Sequence, residues 1–319
     1  MDVKIGSTAE RPLPRPGKFD SVKKRLKRNV GLYIIISPAV LYYLIWHYWP
    51  MYGVQIAFKD FMPGLGIWNS PWVGFEHFER LFNAYYFWTI LKNTLGISLY
   101  GLLVGIPAPI VLALLFNEVR SKKLRTFAQT VSYAPHFISV VVAVGILFFF
   151  ISPTNGVINS VLQSLGFASR DFLAEPGSFW HLYVWSGIWQ GIGWSSLIYS
   201  AAISGISPDL YEAAYIDGAS KWRRIWHVTL PGMVPTIVIL SILSAGGIMS
   251  VGFEKILLMQ NPMNLETSEV ISTYMYKSGL LNTQYSFSAA VGLFNNVINF
   301  IILIVVNAVA RKVGETSLW

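Results

Sequence analysis

Six apolar runs, at approximately residues 31–50, 90–116, 131–151, 179–204, 234–258 and 289–310, dominate the chain and limit what it can fold into. Each is long enough to cross a hydrocarbon layer roughly 30 Å thick as a helix. Helix is the form required there, because lipid offers no hydrogen-bond partner to a peptide N–H or C=O, and a helix satisfies both within one segment. Charged residues make up 13% of the sequence, about half the share of an average soluble domain. The expected fold is all-α and integral to the membrane. Six transmembrane helices form one domain over residues 31–310, between a basic N-terminal tail, 1–30, and a C-terminal tail, 311–319.

The net charge of +8 is informative through its placement. An even number of spans puts both ends on one side. Of the 24 Lys and Arg residues, 18 lie in the first 30 residues, the 117–130 loop, the 205–233 loop and the C-terminal end. Lys59, Arg80, Arg170, Lys255 and Lys277, with Lys92 at a helix start, fall on the other side. The positive-inside rule therefore places both termini in the cytoplasm and makes the basic excess a topology signal, with nucleic-acid binding the weak alternative. The tail carries Pro12, Pro14 and Pro16, then Lys23, Lys24, Arg25, Lys27 and Arg28, and reads as a mobile segment leading to the membrane surface. It is too long for a signal-peptide n-region, and the first apolar run ends in Trp46, His47, Tyr48 and Trp49 rather than in small cleavable residues. Those aromatics, with Trp68, Trp72, Tyr85, Tyr86 and Trp88, fit an interfacial belt; sugar stacking is the sharper alternative.

Several chemistries are excluded. The chain has no cysteine, so disulfides, thiolate metal sites and Cys nucleophiles are absent. Its five histidines, His47, His77, His136, His181 and His227, lack metal-ligand spacing. No paired carboxylates or nucleophile constellation point to an enzyme. No Gly-x-x-x-x-Gly-Lys-Ser/Thr loop is present to hold nucleotide phosphates. A secondary transporter would place ionisable residues near the membrane midplane, and none is read deep in these runs.

The loop 207–231 carries the strongest motif. Ser207 is suited to cap a helix, Pro208 to its first position and Asp209 to the positive end of its dipole. Gly218 suits the left-handed turn that ends that helix, and Ser220 starts a second segment expected to close at Pro231. The product is a compact helix-turn-helix outside the membrane. Ala213 and Ala214 leave room for a close partner surface beside the Glu212 carboxylate. The plainer alternative is an ordinary solvated loop.

Glu212-Ala213-Ala214, then Asp217-Gly218, then Leu230-Pro231 resembles the EAA loop of permease subunits in bacterial ABC importers, the element that docks into the ATPase. Val228 stands where that pattern usually has Ile, and Ile216-Asp217-Gly218-Ala219 looks like the carbohydrate-importing branch. The resemblance extends over roughly residues 30–311. It includes Ala57-Phe58-Lys59-Asp60-Phe61, Trp72-Val73-Gly74-Phe75-Glu76-His77-Phe78, Asn93-Thr94-Leu95, Tyr133-Ala134-Pro135 and Gly156-Val157-Ile158-Asn159. The stretch from Gly252-Phe253-Glu254-Lys255 through Gln260-Asn261-Pro262 to Thr267-Ser268-Glu269-Val270-Ile271-Ser272-Thr273-Tyr274 resembles the lipoprotein and complex-polysaccharide permeases, which import oligosaccharides from pectin, alginate or other uronate-rich chains.

The resemblance implies a type I importer permease: half of a pore, completed by a second, related permease chain. Two ATPase subunits on the cytoplasmic side would hold ATP and Mg, with no cofactor on this chain, and an external sugar-binding protein would deliver the oligosaccharide. Glu212, Ala213, Ala214, Asp217, Gly218, Leu230 and Pro231 would couple to the ATPase. A sugar path needs polar groups at depth. Asn295, Asn296, Asn299 and Asn307 share one third of the last helix, near Gly292, while Gln190 and Trp194 share a face of the fourth. Interhelical hydrogen bonding and packing between permease chains are the alternatives for these groups. Gly246-Gly247, Gly252, Pro107 and Pro109 mark places for bending or close packing. Glu254 is expected at the interface beside Lys255, and the 260–288 loop is expected outside, facing the binding protein. Import of an amino acid or phosphate is the rival within the class.

Overall fold

The computed structural model describes residues 28–314, so most of the basic tail and the last five residues lie outside it. Among the described residues there is no named strand, only an isolated bridge between Lys59 and Trp72. Ten helices carry the argument. They are α1 (Val30–Phe58), α2 (Phe87–Glu118), the bent pair α3 (Lys122–Phe137) and α4 (Val140–Ile151), and α5 (Phe179–Ser204). These are followed by α6 (Pro208–Ile216), α7 (Lys221–Ala245), α8 (Phe253–Met259), α9 (Ile271–Tyr276) and α10 (Tyr285–Gly314).

Four of these, α1, α2, α7 and α10, are long and apolar enough to cross a membrane, and the α3–α4 pair makes a fifth if its halves count as one. The six apolar runs thus become four spanning helices, one bent pair and α5. At 26 residues, α5 has the length to span, but Trp, Tyr, Ser, Gly and Gln dilute its hydropathy. The described residues up to Gln55 form a unit of their own. Within it Val30–Tyr43 buries no residue and is apolar all round, as expected of a helix whose surroundings are lipid or another chain.

In the second unit, which starts at Ile56, three apolar clusters hold the helices together. At one end of α2, Phe87 and Ile90 pack with Met249, Ile271, Phe287 and Val291. Midway, Ile97 meets Val144, Phe179, Val251, Ile256 and Val270. Toward the far end Ala113 packs against Tyr199, Ile203 and Met233.

Three expectations from the sequence need correction. The run 131–151 is not one straight span. The chain turns by 105° between α3 and α4, where the ring of Pro135 and the Ser139 cap, which accepts from Val142 N–H at 3.3 Å, replace helical hydrogen bonds. The run 234–258 is likewise interrupted. α7 ends at Ala245, Gly246 and Gly247 form turns, and α8 restarts after Gly252. Finally, the last helix continues to Gly314, so Arg311 and Lys312 belong to its last turn rather than to a separate tail.

The 260–288 segment, expected as a loop facing outside, is compactly folded. It folds back as short helices whose Asn264, Ser268, Val270 and Thr273 are fully buried. Polar side chains satisfy its irregular backbone. Asn93 donates to Glu266 O and Glu269 O at 2.9 and 3.0 Å, and Thr94 Oγ1 accepts from Ile271 N–H at 3.0 Å. Asn264 donates to Leu173 O and Met259 O. Lys277 pairs with Glu269 at 2.5 Å. Asn159 does the same work after α4, bonding Ile151 O, Ser152 O and Arg170 O.

Candidate functional site

Residues 207–231 form a mounted surface. Ser207 caps α6 through Asp209 N–H at 3.3 Å, and Pro208 sits in the first turn. At the other end Gly218 adopts φ +70°. Gly218 N–H bonds Tyr215 O at 3.0 Å and Ala219 N–H bonds Ala214 O at 2.9 Å, the paired closure that a left-handed residue permits. Ser220 then caps the next segment through Arg223 N–H at 3.4 Å. That segment does not close at Pro231, which is the fourth correction. It runs on as α7 to Ala245 through a widened π turn at Ile225–Thr229, where Leu230 N–H reaches Ile225 O. A proline ring would strike the carbonyl four residues back in a regular helix, and the wider turn relieves that clash. The same device precedes Pro50, after a π turn at Leu44–Tyr48.

The base of this surface is fixed and its tip is free. Tyr211 Oη meets Thr229 Oγ1 at 3.1 Å, with Thr229 buried. Lys221 Nζ lies 3.4 Å from the Glu118 carboxylate at the end of α2. Ile206 packs over Gly232, where a Cβ would meet it at 2.6 Å. By contrast α6 buries none of its residues, and Ile216 is 84% exposed. Glu212, Ala213, Asp217, Gly218 and Pro231 are exposed, while Ala214 and Leu230 are half-buried. Tyr211, Glu212, Tyr215, Ile216 and Arg224 line a shallow groove, with the Arg224 guanidinium 5.9 Å from the Tyr215 ring centroid. An exposed apolar tip rimmed by charge is the form of a protein-docking surface.

Of the polar groups read from the sequence as path candidates, Gln190, Trp194 and Asn299 hold the helix breaks. Gln190 Nε2 donates to Ile138 O at 2.8 Å. Trp194 stacks on His136, with centroids 4.7 Å apart and planes 2° from parallel, and meets Phe137 edge-on. Between them Gly193 touches the backbone of Ser132, so that a Cβ would fall 1.9 Å from its carbonyl oxygen. One face of α5 therefore supports the α3–α4 corner. Asn299 supports the α7–α8 break, its Oδ1 accepting from Met249 N–H at 2.8 Å and its Nδ2 donating to Ser250 Oγ at 3.1 Å. Asn307 is buried, Asn296 is exposed, and Asn295 keeps a buried Oδ1 without a hydrogen-bond partner.

Two cavities flank α5. One, of about 310 Å³, is lined by Gly101, Gly105, Tyr183, Gly187, Gly191 and Ser195, among others. The other, of about 450 Å³, is apolar and bounded by Val144, Leu147, Phe150, Trp185 and Trp189. Lys255 lines both. Sequence reasoning counted Lys255 as a charge on the far side, beside Glu254 at the interface and within a family motif, and not as a site; a cation at the end of an apolar run was the signal available. Glu254 beside it is exposed.

The family model of binding-protein-dependent transport system inner membrane components matches residues 105–315. Protein LplB of Bacillus subtilis is 41% identical over 308 residues, 97% of each chain. The polygalacturonan/rhamnogalacturonan transport system permease protein YteP of the same organism is 42% identical over 295 residues, 92% of each. A crystal structure of a bacterial ABC transporter involved in import of the acidic polysaccharide alginate aligns with TM-score 0.86 and 42% identity, over 92% of this chain and 99% of that one. The chain belongs to the family of binding-protein-dependent transport system inner membrane components, as a permease subunit of an ABC transporter whose ATPase is a separate partner.

Proposed function

We propose that this permease forms half of the pore of an importer for oligosaccharides derived from acidic polysaccharides. It sits as a multi-pass protein in the bacterial cytoplasmic membrane with both ends inside. A second, related permease completes the pore. Two ATPase subunits, binding ATP and Mg, grip α6 of each permease, and an external binding protein brings the sugar.

The observation that carries this reading is the mounting of α6. Its tip is exposed and apolar around Glu212, while its base is tied to α7 by Tyr211 and Thr229. A displacement of α6 is therefore transmitted into a 25-residue helix of the bundle. Leu230 and Pro231 sit at the start of that helix's regular part. The substrate class follows from relatives named for polygalacturonan, rhamnogalacturonan and alginate. One solved relative was captured with an alginate pentasaccharide-bound periplasmic protein, which supports the external delivery step.

The test is to purify the tagged chain with its partners and screen oligosaccharides, with the binding protein present, for stimulated ATP hydrolysis. Stimulation by a uronate oligosaccharide is expected. A complex without an ATPase would overturn the proposal, and stimulation by an amino acid or phosphate alone would overturn the substrate class.

A further inference from the structure

We propose that Lys255 is the anion-recognition point of a sugar site inside the bundle, so that this permease itself, and not only its binding protein, selects carboxylate-bearing sugars. The inference rests on the importer reading above and adds a named site to it.

Lys255 projects from α8 onto α5, where a Cβ on Gly187 would lie 3.3 Å from its Nζ. Gly187 is eight residues into α5, or about 12 Å from the end remote from α6 at ~1.5 Å per residue. A cation at such a depth is expensive to hold and calls for a partner. The protein offers only part of one. Nζ donates to Tyr183 O at 2.9 Å and lies 4.8 Å from the centroid of the Tyr183 ring. Among the described residues no carboxylate forms an ion pair with it. An ammonium has three N–H donors, so two remain, and the face of the Tyr183 ring offsets only part of the charge. Tyr183 is itself fixed, since its hydroxyl accepts from Gly252 N–H at 3.0 Å.

The space that Lys255 faces suits the same ligand. The 310 Å³ cavity lies within the range of roughly 300–1,000 Å³ for small-molecule sites. Its walls include Gly101, Gly105, Gly187 and Gly191. Absent Cβ atoms let one face of a pyranose chair approach the backbone closely. Ser195 and the Gln190 side chain add polar groups, the Gln190 amide N–H being held by Ile138 O and its Oε1 remaining an acceptor for hydroxyl. A neutral sugar would leave the ammonium without a counter-charge, whereas a uronate supplies it.

The test uses the full complex with its second permease, ATPase and binding protein in proteoliposomes, and follows uptake of tetragalacturonate and of tetramannuronate. Lys255→Gln keeps a donor for Tyr183 O and removes the charge; Lys255→Arg keeps the charge. Uptake is expected to fall at least about tenfold in Lys255→Gln and to stay within about threefold of wild type in Lys255→Arg, with binding-protein-stimulated ATP hydrolysis preserved in both. Wild-type uptake by Lys255→Gln, or equal loss in Lys255→Arg, would overturn the inference. So would loss of the second permease from purified Lys255→Gln complex, which would place a carboxylate of that chain against the ammonium. A wild-type complex stimulated only by neutral glycans would refute the acidic site while leaving an importer; one stimulated by no glycan would overturn both readings.

Discussion

At the scale of single residues, the close approaches are the most constrained positions. Gly193 faces Ser132 with room for no further atom, whereas Gly145 on α4 has nothing within 4 Å of a built Cβ. Gly193→Ala must push α5 off the α3–α4 corner, at an overpacking cost of about 1–3 kcal/mol. Gly145→Ala should be neutral or slightly stabilising through helix propensity. Thermal unfolding of the purified complex separates the two, and an unchanged melting temperature in Gly193→Ala would contradict the packing described. A second residue-scale expectation concerns pH. The Arg170 guanidinium donates to Glu175 at 3.0 and 2.7 Å, and these bonds hold the Glu175 carboxyl below its ordinary value. A lowered carboxylate contributes order that is present above its unfolded pKa and is lost as pH falls through the folded one. Protection of residues 170–178 against hydrogen exchange should therefore fall as the pH drops below the ordinary glutamate range, and Glu175→Gln should abolish that loss of protection.

At the scale of elements, the helix breaks are supported from outside themselves. Asn299 satisfies the Met249 N–H at the α7–α8 break. Asn299→Leu strands that donor, an effect of about 1–3 kcal/mol, and exchange protection of residues 246–252 should fall while that of α5 does not. The α6 turn depends on Gly218. Gly218→Val forces a β-branched residue to φ +70° at about 1–2 kcal/mol, and transport should drop with membrane insertion intact. Gly218→Asn, which tolerates that conformation, should retain more activity. Hydropathy made the apolar runs legible because length and composition alone decide whether a segment tolerates lipid. It could not show that runs 131–151 and 234–258 are broken, since a break leaves mean hydropathy unchanged; Pro135 and Gly246-Gly247 were the local signs. The caps of α6 and the start of α7 were readable because Ser207, Pro208, Gly218 and Ser220 act on neighbouring backbone. Gln190 and Trp194 meet the same corner as their spacing of four allows, but spacing cannot say what a face meets, and they and Asn299 each meet a break in another helix. Lys255 was missed as a site for the same reason, because its importance lies in Tyr183 and Gly187, some seventy residues away.

At the scale of the whole molecule, the orientation required for coupling is open to direct measurement. If α6 faces an ATPase, it must lie on the cytoplasmic side, and the aromatic segment before α2 must lie on the other, one spanning helix away from the 119–121 turn. The chain has no cysteine, so single cysteines report without background. Ile216, at the tip of α6, and Tyr85, before α2, are both strongly exposed at 84% and 88%. In right-side-out vesicles a membrane-impermeant maleimide should label Tyr85→Cys and spare Ile216→Cys, and inverted vesicles should reverse the pattern. Addition of the partner ATPase to inverted vesicles should then protect Ile216→Cys, because the apolar tip becomes covered, while leaving a cysteine at Lys123, on α3 of the same face, still reactive. Labelling of both cysteines from one side would require an odd number of crossings to be removed or added between residues 85 and 216. That result would detach the Glu212 surface from any ATPase and leave the mounted α6 helix without the partner its exposure demands.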